Sequence, residues 1–339
     1  MDVNRTLAPV GENYSFGLST LFGQVRQQAR QRSFGWRTLD RLEIGFNPGD
    51  LSIVAARTGH GKSTVLLNIL LHWLETYPEE NFLLYSYEIP PTAVAIKLIS
   101  TLTRKRGGVG WSYHDVRRWV QDGAKPADGK LNENDVREAA NLMQQWEKRL
   151  TVIYEPEWDV LRLAEYTRTL AGQIGTLGGV LVDYVQLVQP PPGRYENREH
   201  EVTMVAKELK RLAVETRCSI VTAAQIGREA AQITDWVPDG ALEDEKVMRA
   251  IARRRPQLHH LREGGGEREA DLVIGLLNYR ADYLAAAENA GMDHWAIETG
   301  NAGPFDVAIL KNRYGQLGLA TLVLESRTGY LRDPGVFGR

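Results

Sequence analysis

Residues 54–68, VAARTGHGKSTVLLN, set small residues, one lysine and three hydroxyls at a spacing suited to holding phosphate. Gly61, Lys62 and Ser63 complete the back of the pattern glycine, four residues, Gly-Lys-Ser/Thr, while Ala56 stands where that pattern opens on glycine. Ala56 falls at the end of a preceding strand, where a small residue suffices. Backbone N–H groups from Thr58 to Ser63 can turn inward as an anion cradle, and Gly59 and Gly61 supply the dihedrals this needs. Lys62 would reach the β- and γ-phosphates of ATP, and the Ser63 hydroxyl would ligate Mg²⁺. The expected nucleotide-binding set is therefore Thr58, Gly59, His60, Gly61, Lys62, Ser63 and Thr64, with His60 read as a loop-tip spacer.

Three more strand ends carry candidate chemistry. GGVLVDYVQLVQP is an apolar strand interrupted by Asp183, its one charged residue. A carboxylate in a buried strand is costly without a partner. A Mg²⁺ held with Ser63 would supply one; a neighbouring strand or helix cap would also serve. NFLLYSYEIPP ends on Glu88 before a proline pair. If that strand neighbours the loop strand, Glu88 stands beside the γ-phosphate and can orient and deprotonate water. The alternative is a surface carboxylate at a strand end. SIVTAAQIGRE ends on Gln225, an amide able to contact a γ-phosphate oxygen or to be an ordinary strand-end polar residue.

The elements that would position these groups alternate. Strands are expected at 51–56, 82–87, 151–155, 179–188, 218–225, 272–278, 306–311 and 320–325. Helices are expected at 18–32, 91–104, 133–148, 158–173 and 198–216, with another directly after the phosphate loop. Such alternation implies an α/β fold with a mostly parallel sheet covered on both faces, the last two strands forming an antiparallel edge. The Pro/Gly stretch 189–197 and the polar segment 226–265 break the rhythm. Both follow strands, on the edge where ligands of open α/β sheets bind.

The bulk properties set limits. The 339 residues are 43% hydrophobic and 25% charged, with formal net charge −2. No apolar run reaches the roughly 18 residues of a membrane span, so no membrane role is expected. Cys218 is the single cysteine, which excludes an intramolecular disulfide and suits a reducing cytoplasm. The net charge neither supports nor excludes nucleic acid. The basic clusters 104–106 and 253–255 are slight hints, the first better read as a solvated face.

In combination these stretches resemble the C-terminal motor domain of DnaB-type replicative helicases, a RecA-like P-loop ATPase fold. The likeness runs from about Phe34 to Asp333. GWRTLDRLEIGFNPGDLSIVAARTGHGKST resembles the family's entry strand and phosphate loop, whose first position is commonly alanine. YSYEIP resembles FSLEMS, carrying the catalytic glutamate onto Glu88. VDYVQL resembles IDYLQL, placing Asp183 and Gln186, and ENREHEV resembles ENRQQEV. AAQIGRE resembles LSQLSRA, placing the γ-phosphate sensor at Gln225. RRPQLHHLREGGGEREADLV and LKNRYGQLG match two further family elements.

The resemblance implies a ring, expected to be hexameric, with ATP between subunits. Lys311 and Arg313 would act on the neighbouring subunit's γ-phosphate. Arg262, Glu263 and Gly265 match an element that holds single-stranded DNA, one residue shorter here and glycine-rich. Residues 1–33 are expected to be a leader and linker helix docking on an adjacent subunit, and 34–339 the motor. The family's helical N-terminal domain has no counterpart in these residues, leaving either a reduced, phage-type helicase or a motor that has lost unwinding. A primase or helicase loader is a further expected partner. Two functions are weighed: an ATP-dependent helicase or single-strand translocase, and a non-helicase ATPase that assembles on DNA or loads a partner. Intact Lys62, Glu88, Asp183 and Arg313 argue against a degenerate scaffold.

Overall fold

In a computed structural model, residues 30–123, 131–226, 242, 244–261, 266–289 and 301–335 are described. Residues Gln31–Arg339 form one compact unit. The strands are β1 (Leu51–Ala56), β2 (Asn81–Ser86), β3 (Leu150–Ile153), β4 (Leu177–Asp183), β5 (Ser219–Gln225), β6 (Leu272–Asn278), β7 (Ala302–Asn312), β8 (Gly318–Glu325) and β9 (Tyr330–Arg332). They make one nine-stranded sheet in the order β3-β2-β4-β5-β1-β6-β7-β8-β9. β1 to β6 run parallel. β7, β8 and β9 extend the sheet antiparallel, as the spacing of the last expected strands implies.

The described helices are α1 (Arg37–Asp40), α2 (Lys62–Thr76), α3 (Pro91–Lys105), α4 (Tyr113–Asp122), α5 (Glu133–Gln145), α6 (Val160–Ala171), α7 (Arg198–Thr216), α8 (Glu245–Ala252) and α9 (Tyr279–Asn289). Side chains alternate across β1 and divide the core. Val54 and Ala56 join Val65, Leu66, Ile69 and Trp73 of α2 on one face. Ile53 and Ala55 join Val205 and Leu209 of α7 on the other. Burial on both faces explains why these strands read as continuous apolar runs.

Three expectations are corrected. The helix expected over 18–32 does not include Gln31 and Arg32; Arg32 is extended, bridged to Phe46, and residues 18–29 lie outside the described residues. Arg32 is buried and its guanidinium pairs with both oxygens of Glu80 at 2.8 and 2.9 Å. The stretch expected as strand to residue 188 ends at Asp183 and continues as a short 3-10 turn, Val185–Leu187. The polar segment 226–265 is not simply a loop: it contains α8, which buries Val247 and Ile251, and a 3-10 turn, Leu258–Leu261.

Candidate active site

The phosphate loop leaves β1 at Ala56 and ends where α2 begins. Gly59 and Gly61 have φ of 78° and 84°, the left-handed region that glycine enters without strain. A Cβ on Gly61 would also stand 3.0 Å from the Phe305 ring. α2 therefore starts with its free N–H groups, and its positive dipole end, at the loop. Lys62 Nζ donates to the carbonyls of Arg57 (3.2 Å) and Ala56 (3.4 Å). Burial lowers its pKa, opposed by the negative charges of Asp183 and Glu88.

β4 brings Asp183 to the same point, beside the Ser63 hydroxyl. Asp183 is buried, and its Oδ1 has no hydrogen-bond partner among the described residues. Burial pushes its pKa up; the Ser63 hydrogen bond opposes this, and Glu88 adds to it. A buried carboxylate oxygen with unused lone pairs, next to a hydroxyl, is a hard-oxygen donor set. It fits Mg²⁺, which takes one or two protein ligands and completes its shell from phosphate and water. Among the described residues no cluster of three or more His, Cys, Asp or Glu competes for a metal.

Glu88 is exposed just beyond β2. The neighbour relation expected of its strand does not hold, because β4 and β5 lie between β2 and β1. The carboxylate still reaches the site's field: its charge raises the pKa of both Lys62 and Asp183.

Gln225 ends β5, the direct neighbour of β1. Its backbone is gripped by the Gln186 side chain, which accepts its N–H (3.1 Å) and donates to its carbonyl (2.9 Å). That leaves the Gln225 side chain to act while its main chain is fixed.

His60 overturns the spacer expectation. It is buried at 5% exposure, and its Nδ1 accepts the Asn278 N–H at 3.2 Å. Its Nε2 lies 3.5 Å from Asp282. Burial lowers its pKa, with Asp282 the main opposing influence. Arg57 and Asp282 were not expected at this site.

Lys311 and Arg313 lie at the other edge of the sheet. β7 runs antiparallel to β6, so Asn312 pairs with Leu272, at the entry end of β6. Lys311 Nζ donates to the carbonyls of Glu267 (2.8 Å) and Arg268 (3.2 Å), and burial lowers its pKa. Arg313 pairs with the buried Asp271 at 2.6 Å, with its side chain 47% exposed. Asp271 also accepts from Lys210 Nζ (2.6 Å) and the Leu51 N–H (3.0 Å).

Of the basic cluster 253–255, Arg254 lies 3.8 Å from Asp282 and Arg255 is 2.5 Å from Asp306, so both face inward. In cluster 104–106, Arg104 pairs with Glu325, and Lys105 and Arg106 with Glu75, all at partly exposed positions. Arg262, Glu263 and Gly265 lie outside the described residues.

A family model, the DnaB-like helicase C terminal domain, matches residues 33–332. The chain belongs to that family. The replicative DNA helicase DnaC of Bacillus subtilis (strain 168) is 27% identical over 301 residues, covering 85% of this chain and 53% of that protein. The replicative DNA helicase DnaB of Geobacillus stearothermophilus is 26% identical with the same coverage, 85% and 53%. The chain thus spans about half the length of these curated relatives. Among solved structures, a DnaB-like replicative helicase described with its interactions with primase aligns at TM-score 0.70 and 19% identity, covering 94% of this chain and 68% of that one. A second solved structure, an isolated ATPase domain, aligns at TM-score 0.69 and 20% identity, covering 93% and 96%. The parallel sheet and its phosphate loop are thus those of the DnaB-like ATPase fold.

Proposed function

We propose that this chain is the ATP-hydrolysing motor of a DNA helicase or single-stranded DNA translocase, working as a ring with ATP between subunits. The observation that carries the reading is the separation of one catalytic set onto two edges of one sheet. Lys62, Ser63, Asp183, Glu88 and Gln225 stand at the ends of β1, β2, β4 and β5. Arg313 is level with the start of β1, through Asp271, whose N–H bonds the Leu51 carbonyl. β1 alone spans roughly 17 Å at about 3.3 Å per residue. One copy therefore cannot bring Arg313 to its own loop, whereas head-to-tail copies place one edge against the next.

Within such an interface the loop N–H groups and Lys62 hold the phosphates, and Glu88 orients and deprotonates the attacking water. Ser63 and Asp183 would hold Mg²⁺, which when bound supplies charge neutralisation to the β- and γ-phosphates. Arg313 of the neighbouring copy, planar and always charged, meets the charge that develops on the transferred phosphoryl group, with Lys311 beside it. Gln225, its main chain held by Gln186, senses the γ-phosphate and passes its loss to the segment that begins at Ile226. That segment ends in Arg262, Glu263 and Gly265, our candidates for holding the DNA backbone without reading bases. A primase or a helicase loader is a proposed partner on the family likeness.

The test is ATP hydrolysis with and without single-stranded DNA, paired with strand displacement on a forked duplex. The expected result is stimulation by DNA together with displacement. Stimulation without displacement would favour the loader or DNA-assembly reading, which shares the same site. The trans arrangement has its own check: Arg313→Ala and Lys62→Ala proteins should each be inactive, and mixed assemblies should recover part of the activity. No recovery in assemblies shown to be mixed would remove Arg313 from the neighbour's site.

A further inference from the structure

The phosphate loop is fastened from outside itself. Arg57 and His60, three residues apart on either side of Gly59, are both buried, at 8% and 5% exposure. Both turn to one carboxylate, Asp282 of α9, which is 2% exposed. Arg57 donates from an Nη atom to Asp282 Oδ2 at 2.6 Å. His60 Nδ1 accepts a backbone N–H, so its own proton must sit on Nε2, the nitrogen that faces Asp282 Oδ1 at 3.5 Å. Arg254 approaches the same Oδ1 at 3.8 Å. The Arg57 carbonyl is in turn the acceptor for Lys62 Nζ. A chain of contacts thus runs from α9 through Arg57 to the lysine that would meet phosphate, and it holds the loop on both sides of its most pliable residue.

We propose that Asp282 is a positioning residue for nucleotide binding: it clamps the phosphate loop through Arg57 and His60 and so sets where Lys62 and the loop N–H groups stand. The inference rests on the nucleotide-binding reading of that loop. Asp282 itself touches no phosphate; its charge would repel one. That fixes the sign of the test. If Asp282 mattered only through its field, removing its charge would tighten the binding of an anion, because Arg57 and Arg254 would be left without it. A clamp predicts the reverse.

The experiment titrates Mg-ADP against the full chain, with thermal melting of the nucleotide-free protein alongside. Asp282→Asn is expected to weaken Mg-ADP binding about tenfold. Turnover at saturating ATP should change far less, since contacts made equally in ground and transition states act on KM rather than kcat. His60→Leu should weaken binding about threefold, and His60→Gln, which can still donate to Asp282, should stay near the parent value. Folded Asp282→Asn protein that binds Mg-ADP as well as the parent, or better, overturns the clamp. So does equal binding by the His60→Leu and His60→Gln proteins, a comparison that decides the matter alone if Asp282→Asn does not fold. Lys62→Ala is the separate control: if it retains full Mg-ADP affinity, the nucleotide reading of the loop fails instead.

Discussion

Asp183 and Asp271 are both buried aspartates at strand ends, and they are satisfied in opposite ways. Asp183, at the exit end of β4, has one oxygen without a protein partner among the described residues, and burial raises its pKa. Asp271, at the entry end of β6, accepts from Arg313, Lys210 and the Leu51 N–H. The protein thus carries an uncompensated carboxylate where a cation and phosphates are proposed to arrive, and a compensated one where the chain must be anchored. Burial is nearly the same, 5% and 1%, so it does not distinguish a functional carboxylate from a structural one; the partner count does.

Substitution at the first aspartate should break this comparison most visibly. Asp183→Asn is expected to lower ATP hydrolysis at least 100-fold, about 2.7 kcal/mol of barrier, by removing the charge proposed to complement Mg²⁺. The nucleotide-free protein should be no less stable. An aspartate whose folded pKa lies above its unfolded value costs stability at neutral pH, and asparagine removes that cost. Mg-dependent turnover and thermal melting read the two effects. A clear fall in melting temperature with normal turnover would make Asp183 a structural carboxylate like Asp271. Glu88→Gln should cause a comparable loss of turnover while Mg-ATP still binds, because Glu88 is exposed and its proposed part is in the attack on phosphate rather than in the fold.

The second aspartate should show the reverse balance. Asp271→Asn leaves two cations facing a neutral amide. Breaking a buried ion pair typically costs about 3–5 kcal/mol. Lys210 and Arg313 are 22% and 47% exposed, so water relieves part of this and about 2 kcal/mol of lost stability is expected. Urea unfolding would measure it. A loss under about 0.5 kcal/mol would mean that Arg313 and Lys210 do not depend on Asp271.

The difference between the two aspartates also marks how far the sequence could be read. β1, β6 and α7 lie at their expected positions because each is a long apolar run or a periodic stretch between clear breaks. Asp183 stood out as the one charge in such a run. Asp271 did not, since its partners are up to 220 residues away and no local pattern announces them. Asp282 and Arg57 are 225 residues apart, and nothing within the loop points to a partner so distant; His60 reads locally as a spacer. Strand order was equally hidden: alternation shows that strands are parallel, not that β4 and β5 separate β2 from β1. α4 carries a local signal outside that alternation, the capping box of Ser112 with Asp115 in its first turn. α8 was masked by the charges around its buried Val247 and Ile251.

The smallest expected effect concerns acid. His72 of α2 lies 2.6 Å from Ser33 Oγ and 3.3 Å from Thr76 Oγ1, and burial, with Lys105 nearby, brings its pKa down to about 4. Unfolded histidine takes up its proton near pH 6.5. Between these values the unfolded chain binds a proton that the folded chain refuses, so stability falls as the pH drops from 6.5 to about 4 and then levels off. Because the ring is only partly buried, the loss is set at about 1–2 kcal/mol, below the full linkage value. His60, whose pKa is also lowered by burial, acts in the same direction. Asp183 acts in the opposite one, since acid neutralises a carboxylate that the fold prefers protonated. Urea unfolding at pH 7.5, 6 and 4.5 should therefore show His72→Gln flattening the acid slope and Asp183→Asn steepening it. An unchanged slope in His72→Gln would mean that the partly buried imidazole is protonated in the fold; an unchanged slope in Asp183→Asn would mean that the aspartate has a partner after all, and the contrast with Asp271 would be lost.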